Sequence, residues 1–125
     1  MKLLINFLSG TEYSQNLVRT SAAAVSKVFS DPVFLARVAS IVKYDYTLDT
    51  SARVADVIRF AGEVKINVGF YRGWFWSRAI AYEQDGAIYF NTRKFGYGAG
   101  GVENVAHEVM HALGYSHNGN SPAGN

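Results

Sequence analysis

From Glu63 to Tyr71 the chain reads EVKINVGFY, and its apolar residues fall on alternate positions. Val64, Ile66, Val68 and Phe70 share one side, with Glu63, Lys65, Asn67 and Gly69 opposite. A period of two is the pattern of a strand with one buried face. Just downstream, RAIAYEQDGAIYFNT sets two short apolar runs around Glu83-Gln84-Asp85-Gly86. Asp-Gly supplies a tight turn, so this segment reads as a hairpin. A sheet with one apolar face needs a second layer to cover it, and the remaining segments are mostly helical in period.

In YSQNLVRTSAAAVSKVF the apolar positions Leu17, Ala24, Val25 and Val28 follow helical spacing, which predicts a helix from about Ser14 to Phe29 with Ser14 as its N-cap. Asp31-Pro32 opens a short second helix over Val33 to Ala39. DTSARVADVIRFAG, capped by Asp49 or Thr50 and ended by Gly62, fits a helix, with a strand as the alternative because of its β-branched content. SIVKYDYTL, residues 40–48, reads as a strand. Residues 2–8 read as a first strand rather than a secretion signal, because the apolar run is short and no A-x-A site follows. The glycine-rich FGYGAGG, residues 95–101, is a connector into a helix from Val102 to Leu113, which Gly114 ends. The expectation is an α+β fold in a single domain over residues 1–117, with a polar tail over 118–125.

At 125 residues, 49% hydrophobic and 18% charged, the chain can bury a real core. Its net charge of +2 is scattered, with no basic stripe for nucleic acid. Without cysteine it can form neither a disulfide nor a thiolate metal site. No run approaches the ~20 apolar residues that span a bilayer. The chain is therefore expected to be a monomer without nucleic acid or membrane, in an intracellular or host-delivered setting.

All three histidines of the chain lie in HEVMHALGYSH, from His107 to His117. Positions i and i+4 of a helix stack on one face, so His107 and His111 can reach one ion. Glu108 is rotated about 100° from that face, out of place as a ligand but able to touch a water on the metal. Gly114 can take the left-handed conformation that turns the chain and returns His117 to the same ion. Three imidazoles with one open position describe a catalytic zinc centre.

This run resembles the zinc-binding consensus H-E-x-x-H-x-x-G-x-x-H of the metzincin metallopeptidases. The resemblance implies a zincin-like domain: a twisted mixed sheet with an edge strand above a cleft, a backing helix and a zinc helix. It implies His107, His111 and His117 as ligands of one zinc ion and Glu108 as catalytic base. Two features depart from the family pattern. No methionine occurs among the eight residues after His117, and Met110 lies within the helix. The lower subdomain, with its specificity pocket and an auxiliary tyrosine, has no counterpart here. The expectation is a minimal member, or a fragment completed elsewhere.

The chemistry implied is peptide hydrolysis by a zinc-bound water that Glu108 activates, on a peptide or protein substrate. A zinc-bearing structural or interaction module with little turnover is the alternative, and hydrolysis of a non-peptide amide would use the same residues. An extended substrate can pair with a sheet edge. Ala87 to Asn91 is a candidate for that edge or, equally, an interior strand. Glu103, four residues before His107, is expected to be a solvated first-turn acid, with orientation of the His107 ring as the alternative. Trp74 and Trp76 share one face of GWFWSR and are expected to pack in the core, or else to line a pocket or partner surface. Tyr97 is expected to anchor the connector rather than to act in catalysis. Asp45 and Asp49 are too sparse for a calcium loop, and Arg93 and Lys94 read as solvated charges.

Overall fold

The structure, a computed structural model, describes residues 1–41, 49–76, 81–94 and 100–115. Strand β1 spans Lys2–Phe7 and β2 spans Glu63–Tyr71; β3 (Ala81–Gln84) and β4 (Ala87–Asn91) form the hairpin. Helices α1 (Glu12–Phe29), α2 (Pro32–Ser40) and α3 (Ser51–Arg59) fill the crossover from β1 to β2, and α4 spans Gly100–Ala112. The expected α+β class holds, with a four-stranded mixed sheet in the order β1-β2-β4-β3. β1 and β4 flank β2 in parallel, and β3 runs antiparallel to β4.

Register decides which side chains meet. Leu3, Ile5 and Phe7 lie beside Val64, Ile66 and Val68, and Val68 and Phe70 lie beside Ile88 and Phe90. That face of the sheet is covered by helices: α1 packs on β1 and on α4, and α4 packs on β2. Val18, Val25, Val68, Phe90, Val105 and Val109 are the fully enclosed centre of the core. Leu35, Val38, Val54 and Ile58 extend the same cluster under α2 and α3, which pack on each other.

The helix starts follow local capping chemistry. Thr50 accepts the Arg53 N–H at 3.2 Å and opens α3, so the helical alternative for this segment is the correct one. Asp31 caps α2 through the Val33 N–H at 2.9 Å, with Pro32 at the first helical position. Helix α1 starts two residues earlier than the sequence suggests. Thr11, not Ser14, is its cap, and the Thr11 hydroxyl accepts the Ser14 N–H at 3.1 Å. Gly10, at φ 110°, turns the chain so that this threonine can take the cap position. Helix α4 likewise begins inside the glycine-rich stretch, at Gly100. Of the strand expected over residues 40–48, Ser40 ends α2, and residues 42–48 lie outside the described residues, as does the tail.

In the hairpin, Asp85 and Gly86 both have positive φ, 52° and 77°, which is the two-residue turn that matches strand twist. Glu83 and Gln84 therefore belong to β3 rather than to the turn. Of the two readings of Ala87–Asn91, edge or interior, the structure shows the interior one, with β1 and β3 as the edges of the sheet. Burial explains this order. β4 is enclosed along nearly its whole length, as a central strand must be, whereas β3 is short and mostly exposed. Among the described residues no helix is long and apolar enough to cross a membrane.

Candidate metal centre

Helix α4 carries two adjacent stripes. Val105 and Val109, four residues apart, are completely buried and fix the helix on the sheet and α1. One step around the axis, His107, Glu108 and His111 are left at the surface or half-buried. The Nε2 atoms of His107 and His111 face each other at 2.9 Å, with the rings edge to face. A carboxylate oxygen of Glu108 and the two imidazole nitrogens all lie within 4.8 Å of one another, a group able to hold a metal ion.

The end of the helix orients the second histidine. Gly114, at φ 107°, turns the chain; its N–H bonds to the His111 carbonyl at 3.0 Å, and the Tyr115 N–H reaches the Met110 carbonyl at 3.1 Å. This is the Schellman closure, in which two otherwise orphaned carbonyls are satisfied. It also places the Tyr115 carbonyl 2.7 Å from His111 Nδ1. A carbonyl only accepts, so Nδ1 carries the proton and donates it. In the neutral ring Nε2 then holds the lone pair, aimed at His107. The Tyr115 side chain is tied down in turn, its hydroxyl donating to Asp49 at 2.9 Å.

The sheet contributes a second acid. Glu83 pairs with Ile88 in the hairpin and so points to the helix-bearing side. Its Oε1 lies 3.6 Å from His111 Nε2. The Glu108 carboxyl is pushed up to about 8, first by burial, then by a hydrogen bond with Glu83 and by that neighbour's negative charge. A cation at the imidazoles would act in the opposite direction and favour the carboxylate. Around these groups opens a cleft of about 450 Å³, whose walls include Lys65, Ile66, Glu83, Asp85, Glu108 and His111.

Of the residues that sequence reasoning nominated, His107, Glu108 and His111 are brought together, and His117 lies outside the described residues. Glu103 is exposed in the first turn of α4, and Tyr97 lies outside the described residues. The core role expected of the tryptophans is overturned. Trp74, Phe75 and Trp76 are 70%, 72% and 64% exposed, and the two indoles stack on each other at 5.1 Å. Their segment follows the end of β2, where the Gly73 N–H donates to Asn91 Oδ1 at 3.1 Å.

Glu83, Asp49 and the Tyr115 carbonyl were not anticipated. Only Glu83 had a readable signal: a two-residue Asp-Gly turn sets Gln84 opposite Ala87 and Glu83 opposite Ile88, a charge across from a core position.

No protein-family model, curated protein or solved structure matches this chain. Function must be read from the chemistry of the site itself.

Proposed function

We propose that this chain is a small zinc-dependent endopeptidase of metzincin type, with His107, His111 and His117 holding the ion and Glu108 acting as general base. The observation that carries the proposal is the 2.9 Å approach of two imidazole nitrogens on one helix face, with the Glu108 carboxyl beside them. Two nitrogens each ~2.0–2.1 Å from one tetrahedral ion lie roughly 3.3 Å apart, so the pair fits zinc after a small opening. Imidazole donors also suit zinc chemically. The fixed Nδ1–H of His111 supports the same reading, since it leaves Nε2 as the ligating atom.

When bound, zinc would supply Lewis acidity, lowering the pKa of a water towards ~7 and polarising a substrate carbonyl. The chain's own residues would do the rest. Glu108, as carboxylate, would accept the proton of the attacking water and pass it to the nitrogen of the leaving amine. A cleft of about 450 Å³ opens beside it, and the exposed β3 edge offers main-chain groups along which a peptide can align.

The deciding experiment is cleavage of a diverse peptide library by zinc-loaded protein, with Glu108→Ala as control. The expected result is cleavage by the parent, a loss of about 10²-fold or more in the variant, and one zinc retained by both. A folded, zinc-loaded parent that cleaves no more than the variant overturns the peptidase reading. It would favour a metal-bearing structural or interaction module. One observation leans towards that second reading: Glu83 brings a further carboxylate within 3.6 Å of His111 Nε2, and a fourth protein donor would close the position that a catalytic site keeps open.

A further inference from the structure

We propose that Glu83 is itself a ligand of the metal, reaching it from the edge strand β3 while His107 and His111 reach it from α4. This rests on the metal centre proposed above and adds a donor that the histidine motif does not contain.

Three observations converge. The two-residue turn at Asp85-Gly86 fixes Glu83 opposite Ile88, so its side chain leaves the sheet on the side where α4 lies. Its Oε1 stands 3.6 Å from His111 Nε2, close to the roughly 3.4 Å that separates a nitrogen and an oxygen on one tetrahedral ion. Finally, the Tyr115 carbonyl takes the Nδ1 proton of His111, which orients the ring so that its Nε2 stands 2.9 Å from His107 Nε2 and 3.6 Å from the Glu83 carboxylate. A divalent cation ~2 Å from the nitrogen and from the carboxylate oxygen would bridge the two.

Edge strands commonly carry an inward-pointing charge that deters pairing with other chains, and Glu83 serves that end as well. Such a charge needs only solvent at its tip. Here the tip meets the ligating nitrogen of a histidine and the Glu108 carboxyl. Coordination by Glu83 would tie the hairpin to the helix through the ion, so metal binding would fasten the edge strand as well as fill the site.

The test compares the full-length parent with Glu83→Gln, Glu83→Ala and Gln84→Ala. Zinc affinity is measured by chelator competition, and the visible absorption of the cobalt-substituted protein reports the donor set. Far-UV circular dichroism checks the fold. The glutamine variant keeps the size of the side chain and removes the anionic donor, so it serves even where alanine loosens the strand. The expected result is a loss of roughly tenfold or more in zinc affinity and an altered cobalt spectrum in both Glu83 variants, with Gln84→Ala like the parent. Folded Glu83 variants with parental affinity and parental spectrum overturn the proposal and leave the histidine centre standing. A parent that binds neither ion overturns the metal centre and this ligand together.

Discussion

Gly114 joins two tasks in one residue. Its positive φ ends α4, and the same turn delivers the Tyr115 carbonyl to His111 Nδ1. A side chain at φ 107° is strained in a way glycine is not. Gly114→Ala is therefore expected to lower the stability of the metal-free protein by about 1–2 kcal/mol, measured by urea unfolding. It should also weaken zinc binding in chelator competition, because the imidazole loses the carbonyl that fixes its tautomer. Unchanged zinc affinity in a folded Gly114→Ala variant would mean that the Tyr115 carbonyl is dispensable to the ligand. Tyr115 is held from the far side by Asp49, so the orienting contact depends on a residue 66 positions away in sequence.

At the scale of elements, α1, α2 and α3 owe their starting points to single oxygen atoms. Thr50 presents its hydroxyl to the Arg53 N–H at the entrance of α3, whose Val54 and Ile58 are buried in the core. Thr50→Ala should cost about 1 kcal/mol in chemical denaturation, and Thr50→Ser should restore most of it. No loss on Thr50→Ala would show that packing against α2 alone holds the helix. The elements with a clean signal were legible in the sequence: β2 from its alternation, the hairpin from Asp-Gly, α4 from its histidine spacing and the Gly114 that ends it. What misled was local chemistry with two equivalent solutions. Thr11 and Ser14 are both good caps, and only the turn at Gly10 decides for Thr11. The sequence left Ala87–Asn91 open between edge and interior because Glu83 and Gln84, polar and next to Asp-Gly, resemble turn residues until the two-residue loop is known. The site was legible through its histidines and Glu108, because their spacing is local. Asp49 arrives through packing at long range, which periodicity does not record, and Glu83 through a hairpin register that only the two-residue turn reveals.

For the whole molecule, one layer of helices covers one face of the sheet, and the two faces differ accordingly. Leu3, Ile5, Val64, Ile66, Ile88 and Phe90 build the covered side. The other side is polar at Asn6 and Asn67, which hydrogen-bond at 3.1 Å, and aromatic at Tyr82 and Tyr89, whose rings stack at 5.1 Å. The core is thus built without either tryptophan. Trp74 and Trp76, the two indoles in the sequence, stand in solvent on one loop at the end of β2, stacked 8° from parallel. Light emitted by this protein on indole excitation therefore reports that loop and not the interior. Solvent already surrounds both fluorophores, so denaturant should shift the emission maximum only slightly while the far-UV signal collapses. The separation of two stacked indoles should instead appear as the loss of an exciton couplet in the ultraviolet dichroism. Curves from the two optical probes would coincide only if the loop melts with the core. A large red shift at the unfolding midpoint would place the indoles in a drier setting than this loop provides.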